Sequence, residues 1–319
     1  MNRPRIAVAA AVIERPDGSF LMASRPLGKV YAKWWEFPGG KIEQNETPRQ
    51  ALERELHEEL GIVVEEAWPW LQRAFSYGHA DVLLHFFRVT RWRGDPQPHE
   101  GQTLAWTFAD SPSIDPILPL LLPANGPILK SLRLPLDYAI SDAAKLGPEV
   151  FLQRLEARLA SGLKLLQWRE KNAAAGLVEQ VAARCQAAGA LLMCNGDAAL
   201  AAKLGAGLHL NSAQLMHADA ETQLGWRQQF TWLAASCHNQ AELQRAAELA
   251  LDFVVLSPVL PTQSHPGEAT LGWPKFTELL QAYPIPVFAL GGLGMADLAL
   301  ARQHGAHGIA LKSQAWTLA

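Results

Sequence analysis

The chain has 319 residues, which exceeds a typical single domain, so two domains are expected. Hydrophobic residues make up 49% of it and charged residues 18%, a balance that allows full hydrophobic cores. The net charge is −3 and no cluster of Lys and Arg stands out, which excludes direct binding of duplex DNA, because affinity for phosphate backbones rests on basic patches.

The spacing of the cysteines and the hydropathy of the chain indicate the expected cellular compartment. Cys185, Cys194 and Cys237 are an odd number without metal-type spacing, so neither a disulfide framework nor a zinc site is supported. No apolar stretch approaches the length of a membrane span. We therefore expect a cytoplasmic protein without a membrane partner.

The first third of the chain alternates short apolar runs with turns, which predicts a series of strands. Five prolines then punctuate residues 112–127, a segment that by itself indicates a linker with short helices at most. The predicted strands are residues 6–13, 20–24, 75–77, 82–91 and 104–108.

A helix is predicted after the paired glycines Gly39 and Gly40. Thr47 can cap its start, and Gln50 completes a Thr-x-x-Gln capping box. Gly61 is the residue best able to adopt the left-handed conformation that ends a helix.

This helix brings three carboxylates together. At 3.6 residues per turn, Glu55, Glu58 and Glu59 lie on one arc beside a stripe of leucines. Like charges one turn apart destabilise a helix, so a cation is expected to compensate for them. Mg²⁺ suits carboxylate oxygens and shares its other positions with substrate phosphates, and Mn²⁺ is an alternative. The competing interpretation is a solvated acidic helix face.

Residues 40–62 match a known pattern along their whole length. They read Gly-x5-Glu-x7-Arg-Glu-Leu-x-Glu-Glu-x-Gly-Ile, which resembles the Nudix box at every defined position. The resemblance implies a Nudix α/β/α sandwich with a mixed sheet. It also implies a Mg²⁺-dependent hydrolase that acts on phosphoric anhydrides.

Further motifs make residues 6–134 similar to the MutT branch, whose members hydrolyse oxidised guanine nucleoside triphosphates to the monophosphate and pyrophosphate. The resemblance implies that the chain removes 8-oxo-dGTP and so prevents mutagenic incorporation during DNA replication. It also makes the proline-rich segment the end of the Nudix domain rather than a free linker. The motifs are residues 36–43, 91–94, 100–102 and 123–127.

The MutT resemblance implies roles for individual residues. Arg25 would contact the nucleotide phosphate, Phe37 would line the base site, and Asn125 would read the purine edge. An Asn amide offers a donor and an acceptor, which suits an edge with a carbonyl beside an N–H, although a turn asparagine between prolines is the alternative. The implied Mg²⁺ ligands are the Gly39 carbonyl, Glu55, Glu58, Glu59 and Glu100.

The implied mechanism is in-line attack of an activated water on a phosphorus atom of the triphosphate. Glu55 and Glu100 are both candidates for the base. Arg54 is expected to orient the carboxylates rather than touch substrate, because it points away from their arc, and Glu46 is expected to be a charge partner near the helix start.

From about Leu136, apolar runs alternate with helical stretches rich in Ala and Leu. Eight such runs predict a compact (β/α)8 TIM barrel, in which ligands bind at the carboxyl ends of the strands. The runs are residues 138–141, 163–168, 190–194, 207–210, 232–236, 253–257, 286–290 and 308–311.

This half resembles thiamine phosphate synthase and its TenI relatives, in which a TenI-type enzyme is a thiazole tautomerase. The implied domains are residues 1–133 for the Nudix hydrolase and 134–319 for the barrel. The motifs that carry the resemblance are residues 167–171, 194–195, 207–210, 236–238, 257–262 and 289–293.

The departures from the synthase concern its Mg²⁺ ligands. Gly196 and Gln214 stand where the synthase carries Asp, and a neutral pair cannot hold the ion that a pyrophosphate leaving group needs. Asp197 could substitute only by a local shift, and His265 replaces a Lys. Full synthase activity is therefore not expected.

Other barrel residues keep a functional interpretation. Arg169, Lys171, Gly291 and Gly292 can bind a phosphate, for example that of a thiamine precursor, although tight turns explain the glycines equally well. His238 occupies the position that resembles the catalytic His of the tautomerases, where an imidazole can shuttle protons, and a structural histidine is the alternative.

Two rival functions remain open, the first suggested by the fusion and the second by the loss of both Asp ligands. In one, the Nudix site trims pyrimidine or thiamine diphosphates instead of nucleotides. In the other, the barrel is a binding module that senses a thiazole or phosphate ligand without turnover.

Overall fold

The computed structural model describes residues 5–262, 267 and 269–317. The protein chain divides into two compact units. The first runs to Arg133 and includes Gln281–Pro284, and the second begins at Leu134. Each unit has a hydrophobic core of its own.

The first unit is built on two β-sheets. Its strands are β1 (Arg5–Ile13), β2 (Phe20–Ser24), β3 (Trp35–Glu36), β4 (Gly39–Lys41), β5 (Val63–Ser76), β6 (Asp81–Arg93) and β7 (Leu104–Thr107). In the larger sheet β1 pairs in parallel with β6 and antiparallel with β4, while β5 pairs antiparallel with β6. The mixed sheet that was predicted is therefore confirmed. In the smaller sheet β2 lies between β3 and β7.

Helices cover both faces of the larger sheet. They are α1 (Pro48–Leu60) and α2 (Gly126–Leu132). Successive side chains of a strand point to opposite faces, so Ile13 of β1 joins the core that contains Leu56 of α1, whereas Val12 joins the core that contains Ile128 of α2. This arrangement is the α/β/α sandwich.

The start and end of α1 are as predicted. The Thr47 hydroxyl accepts a hydrogen bond from the Gln50 amide, and the Gln50 side chain accepts one from the Thr47 amide. Gly61 ends the helix with a φ of 69°. Because both ends are fixed locally, the turn positions of the glutamates on α1 are fixed too.

Strand β5 is longer than the predicted run of residues 75–77. It covers Val63–Ser76, and its pairing with β6 shifts register in three places along its length. Each irregularity breaks the alternation of apolar and polar side chains on which the prediction of a strand rests. Pro69 lies within the strand and weakens the signal further.

The proline-rich segment is not a free linker. It forms short 3-10 helices at Pro112–Ile114, Leu118–Leu120 and Pro123–Asn125, which lead into α2. Ile114 and Ile117 are buried in the core on the α2 face of the sheet. The segment thus completes the first unit.

In the described part of the second unit, eight parallel strands close into a barrel, as predicted. The order around the barrel follows the chain, and the last strand pairs with the first. The strands are β8 (Asp137–Ile140), β9 (Leu165–Trp168), β10 (Leu191–Asn195), β11 (Gly207–Leu210), β12 (Leu233–Cys237), β13 (Phe253–Leu256), β14 (Val287–Leu290) and β15 (Gly308–Leu311).

Helices follow the strands, and aromatic side chains fill the barrel. The rings of Tyr138, Phe253 and Phe288 lie 5.5 to 5.6 Å apart in tilted or edge-on contacts. The helices are α3 (Ala143–Leu146), α4 (Pro148–Ala160), α5 (Leu177–Ala187), α6 (Ala198–Leu204), α7 (Ser212–His217), α8 (Ala220–Gln229), α9 (Gln240–Glu248), α10 (Gly272–Leu279) and α11 (Leu298–Gln303). Among the residues that the structure describes, no helix combines the length and apolar character needed to cross a membrane.

Candidate functional site

The predicted carboxylates gather where α1 faces the glycines of β4. Gly39 donates its backbone N–H to Glu59 across 3.1 Å. A methyl group on Gly40 would overlap the Glu55 carboxylate, so another residue at this position would displace that side chain. The missing side chain at Gly40 leaves room for the Glu55 carboxylate of α1, and the missing side chain at Gly39 lets β4 lie close to the Ala9 carbonyl of β1.

Glu59 lies in a strongly acidic environment. Burial raises its pKa to about 7, and repulsion from Glu36, Glu55 and Glu100 adds to the effect, although the Gly39 N–H opposes it. The four carboxyl groups come from β3, α1 and the turn before β7. The fold thus concentrates negative charge that a bound cation would relieve.

Arg54 ties together the carboxylates at the side of this cluster. Its guanidinium lies 2.8 Å from Glu55, 3.4 Å from Glu58 and 2.9 Å from Glu46. Glu46 was expected to be a charge partner near the helix start, and its partner is Arg54. The orienting role of Arg54 stays a prediction. The stated reason was wrong, since Arg54 lies against the carboxylates and does not point away from them.

Glu100 is paired with a loop lysine. Lys29 Nζ lies 2.8 Å from Glu100, and this hydrogen bond raises the pKa of the lysine. Both side chains are about half exposed. Glu100 is therefore held by an ion pair with Lys29.

The oxygen donors fit a hard divalent cation, although they do not enclose one as they stand. Within the described ranges, no three Asp, Glu, His or Cys side chains are placed to hold a metal ion. Glu55 and Glu58 contact Arg54, and Glu100 contacts Lys29. The raised pKa of Glu59 favours a cation, because burial, its main cause, and repulsion from the neighbouring carboxylates both disfavour an unpaired negative charge there.

Arg25, predicted to contact phosphate, lies beside the acidic cluster. Its Nη1 contacts both carboxylate oxygens of Glu36, at 2.8 and 2.6 Å, and its Nε donates to the Val30 carbonyl. Among the described residues its Nη2 has no hydrogen-bond partner. The guanidinium is thus oriented by the protein with one nitrogen left for a ligand.

The two residues predicted for the base site are buried. Phe37 is 3% exposed and packs against Phe20 and Phe86, so most of its ring belongs to the core. Asn125 is 4% exposed at the end of a 3-10 helix, next to Ala124, whose backbone hydrogen-bonds Tyr77. The role of either residue in reading a base stays a prediction.

An aromatic cluster beside these residues was missed. Tyr31 lies 5.1 Å from Trp34 and 5.7 Å from both Tyr77 and His79, measured between ring centroids. Tyr31 has a φ of 61°, which presents its ring from a tight loop. The cluster joins loops far apart in the chain, so no local pattern could have found it.

The predicted barrel residues share one rim. Arg169 and Lys171 follow β9, His238 follows β12, and Gly291 and Gly292 follow β14. Arg169 lies near enough to buried His209 to add to the lowering of its pKa, to about 3, that burial mainly causes. All five thus stand at the carboxyl ends of strands.

The packing of the structure explains why positions 291 and 292 are glycines. A methyl group on Gly291 would press against Pro258, and one on Gly292 would overlap the Pro261 carbonyl. The Gly291 carbonyl accepts a hydrogen bond from the amide of Leu260. Close packing of two loops therefore explains these glycines without a phosphate.

Two family models match the chain. The model described as NUDIX domain matches residues 3–128, and the model described as Thiamine monophosphate synthase matches residues 138–315. The second match alone covers more than half of the chain. The chain belongs to both families.

Curated relatives divide in the same way. The Nudix domain is 40% identical over 106 residues to the 8-oxo-dGTP diphosphatase of Haemophilus influenzae. These residues are 33% of this chain and 78% of that protein. It is 44% identical over 128 residues to the CTP pyrophosphohydrolase of Escherichia coli, covering 40% and 90%. The synthase-family barrel is 35% identical over 182 residues to the thiamine-phosphate synthase of Thioalkalivibrio sulfidiphilus, covering 55% and 85%.

The synthase-family barrel does not fit a Mg²⁺ ion at the position expected from that family. Gly196 offers no side chain, and Gln214 donates its amide to the Gly196 carbonyl across 2.8 Å. Asp197 caps α6 by accepting from the Leu200 amide, so it is not a substitute ligand. His265, the other departure, lies outside the described residues.

A series of buried polar side chains, joined by hydrogen bonds, crosses the synthase-family barrel. It was not predicted from the sequence. Gln167 donates to the Tyr138 hydroxyl across 3.0 Å, and that hydroxyl lies 3.1 Å from His209 Nδ1. His209 Nε2 lies 3.0 Å from the Ser236 hydroxyl. Only the barrel's closure brings these four strands together.

Proposed function

We propose that the Nudix domain, residues 1–133, is a Mg²⁺-dependent pyrophosphohydrolase that converts 8-oxo-dGTP to its monophosphate and pyrophosphate. The observation that carries this proposal is the crowding of carboxylates around Glu59, whose pKa is raised to about 7 by burial and by neighbouring glutamates. Such crowding favours a divalent cation. The likeness to an 8-oxo-dGTP diphosphatase supports the substrate.

The chain's own residues would bind and orient the substrate. Mg²⁺, when bound, neutralises the triphosphate and lowers the pKa of the attacking water. Arg25 would contact phosphate through its free Nη2, and Arg54 would keep Glu55 and Glu58 in place. Either Glu55 or Glu100 would take the proton from the water. The oxygen ligands would be the Gly39 carbonyl, Glu55, Glu58, Glu59 and Glu100.

Base recognition would involve Asn125 and the nearby aromatic rings. The buried amide offers a donor and an acceptor for the six-membered edge of the purine. Tyr77 touches the backbone beside Asn125, and Tyr31 packs on Tyr77. An aromatic wall next to a buried amide suits a flat heterocycle that has a polar edge.

A pyrimidine substrate is the second candidate. The 44% identity to a CTP pyrophosphohydrolase favours CTP. Fusion to a synthase-family barrel favours pyrimidine or thiamine diphosphates. These alternatives share the cation site and differ in the base that the pocket holds.

The deciding measurement is kcat/KM of the full chain with Mg²⁺ for 8-oxo-dGTP, dGTP, CTP and the pyrimidine diphosphate of thiamine synthesis. We expect the largest value for 8-oxo-dGTP and its loss in Glu58→Gln. A preference for CTP or the diphosphate would overturn the nucleotide assignment while leaving the hydrolase in place. Equal rates for Glu58→Gln and the unmodified chain would overturn the proposed role of Glu58 at the cation site.

For the barrel, residues 134–319, we propose an anion site at the rim that Arg169 and Lys171 share, with a thiamine-precursor phosphate as its ligand. His238 would transfer protons there, or the site would bind without turnover. Ligand-dependent stabilisation without product would favour the binding module, whereas turnover abolished by His238→Ala would exclude it. The proposed setting is the cytoplasm.

A further inference from the structure

A buried carboxylate near the start of α9 is held by three hydrogen-bond donors. Glu242 is 8% exposed. One of its oxygens accepts from the Ser212 hydroxyl, and the other accepts from the His238 amide at 2.6 Å and lies 2.9 Å from His238 Nδ1. Burial alone would raise the pKa of Glu242, but these hydrogen bonds lower it. The carboxylate is therefore ionised and accepts from all three.

This contact decides which nitrogen of the His238 ring carries the proton. An ionised carboxylate can only accept a hydrogen bond, so Nδ1 has to donate. In the neutral ring Nε2 then keeps its lone pair. Across the described stretches of the chain Nε2 has no hydrogen-bond partner, and the side chain is 46% exposed. His238 thus presents a basic atom to a ligand at the rim.

The rim around His238 contains polar groups but lacks the expected metal site. Ser236 lies two residues earlier, near the end of β12. Its hydroxyl is the last group in the series of buried hydrogen bonds that passes through His209. Arg169, at the end of β9, supplies positive charge near His209. Gly196 and Gln214 hydrogen-bond each other and offer no carboxylate.

We infer that Glu242, with Ser212 behind it, is a positioning residue that fixes the His238 ring so that Nε2 is the atom that accepts protons. This inference rests on the proposed barrel site. A proton leaving the ligand would go to Nε2, its electron pair would stay on the ligand, and Glu242 would balance the imidazolium. Return of that proton to a second ligand atom completes an isomerisation with no other reactant and no divalent metal.

A purely structural role for Glu242 makes a different prediction. The His238 amide already donates to Glu242, so the carboxylate could serve only to close the turn between β12 and α9. In that case the ring would be free to place its proton on either nitrogen. The position of the ring proton therefore separates the two roles.

The test is long-range ¹H–¹⁵N correlation NMR on the ¹⁵N-labelled full chain at about pH 8.5, above the ordinary histidine pKa. His238→Gln identifies the signals of the ring. We expect the proton on Nδ1 in the unmodified chain, and its shift to Nε2, or averaging over both nitrogens, in Glu242→Met. A proton on Nε2, or an averaged ring, in the unmodified chain would overturn the inference.

The matched control is Glu248→Met on the same helix. Glu248 is exposed and pairs with Arg245, so this variant makes the same chemical change without touching His238. We expect its ring proton to remain on Nδ1. The unmodified spectrum alone decides the matter if Glu242→Met does not fold. Neither reading uses substrate turnover, so failure of the inference is distinct from failure of the hydrolase proposal or of the barrel proposal.

Discussion

Each candidate site contains a glutamate withdrawn from solvent, half-buried in one case and buried in the other, and the two glutamates have opposite kinds of neighbour. Glu59 of the Nudix domain lies near other glutamates, and its pKa is raised to about 7. Glu242 of the barrel lies among hydrogen-bond donors that lower its pKa against the effect of burial. A carboxylate among carboxylates favours a cation, whereas one surrounded by donors is already satisfied. The same residue type thus indicates a metal site in one domain and orientation of a histidine in the other.

The largest expected effect concerns the cation site. Glu58→Gln removes one charged oxygen ligand, and we expect kcat/KM for the preferred nucleotide to fall at least about 100-fold, because a metal supplies several kcal/mol of transition-state stabilisation. The control is Glu53→Gln on the outer face of α1, where Glu53 pairs with Arg49. A similar loss in the control would mean that the helix and not the ligand was disturbed.

Asn125 tests whether the pocket reads a base. Asn125→Ala leaves the partner edge of an oxidised guanine unpaired, so we expect kcat/KM for 8-oxo-dGTP to fall about 10- to 100-fold, from a cost of about 1–3 kcal/mol. The thiamine-type diphosphate is expected to react at nearly the original rate. Equal losses for both substrates would point to a folding defect at this buried position, which a melting temperature would reveal.

Arg54 tests whether the carboxylates need to be oriented. Lysine cannot contact Glu46, Glu55 and Glu58 at once, so Arg54→Lys should lower kcat/KM about 10-fold and raise the Mg²⁺ concentration that is required. Arg49→Lys makes the same change nearer the start of α1, where Arg49 contacts Glu53 and the Ala67 carbonyl. Unchanged Mg²⁺ dependence in Arg54→Lys would contradict the orienting role.

The smallest effect is a direct contrast between the domains. Added Mg²⁺ should slow hydrogen exchange at the amides of Gly39 and Gly40 and along α1, with about 1.4 kcal/mol of protection at tenfold its dissociation constant. The segment from Gly196 to Gln214 should exchange as before, since its polar groups bind one another. Equal protection in both segments would remove the contrast.

Sequence patterns sufficed where the physical cause is local. The Nudix helix follows from Thr47, Gln50 and Gly61, because each satisfies backbone groups within a few residues of itself. Its turn positions then place the glutamates on one arc. The eight apolar runs predicted the barrel because a parallel sheet buries both faces of each strand, which leaves nearly continuous apolar segments.

Local patterns failed where the cause lies in another part of the chain. The bulges of β5 follow from its pairing with β6, and the burial of Phe37 depends on Phe20 and Phe86. Neither can be read from neighbouring residues. Asn125 and Glu100 were found through a family resemblance and not through any signal of their own.

The sequence by itself determined that one chain carries a carboxylate-rich helix and an eight-stranded barrel, because caps and periodicity act over a few residues. Only the tertiary structure decided which charges meet. The Ser212 hydroxyl of α7 meets the Glu242 carboxylate of α9 only because these two helices pack together, whereas His238 lies four residues before Glu242 in the chain. Short-range contacts between distant segments leave no periodic trace in the sequence, and they determine whether a glutamate attracts a metal or holds a base.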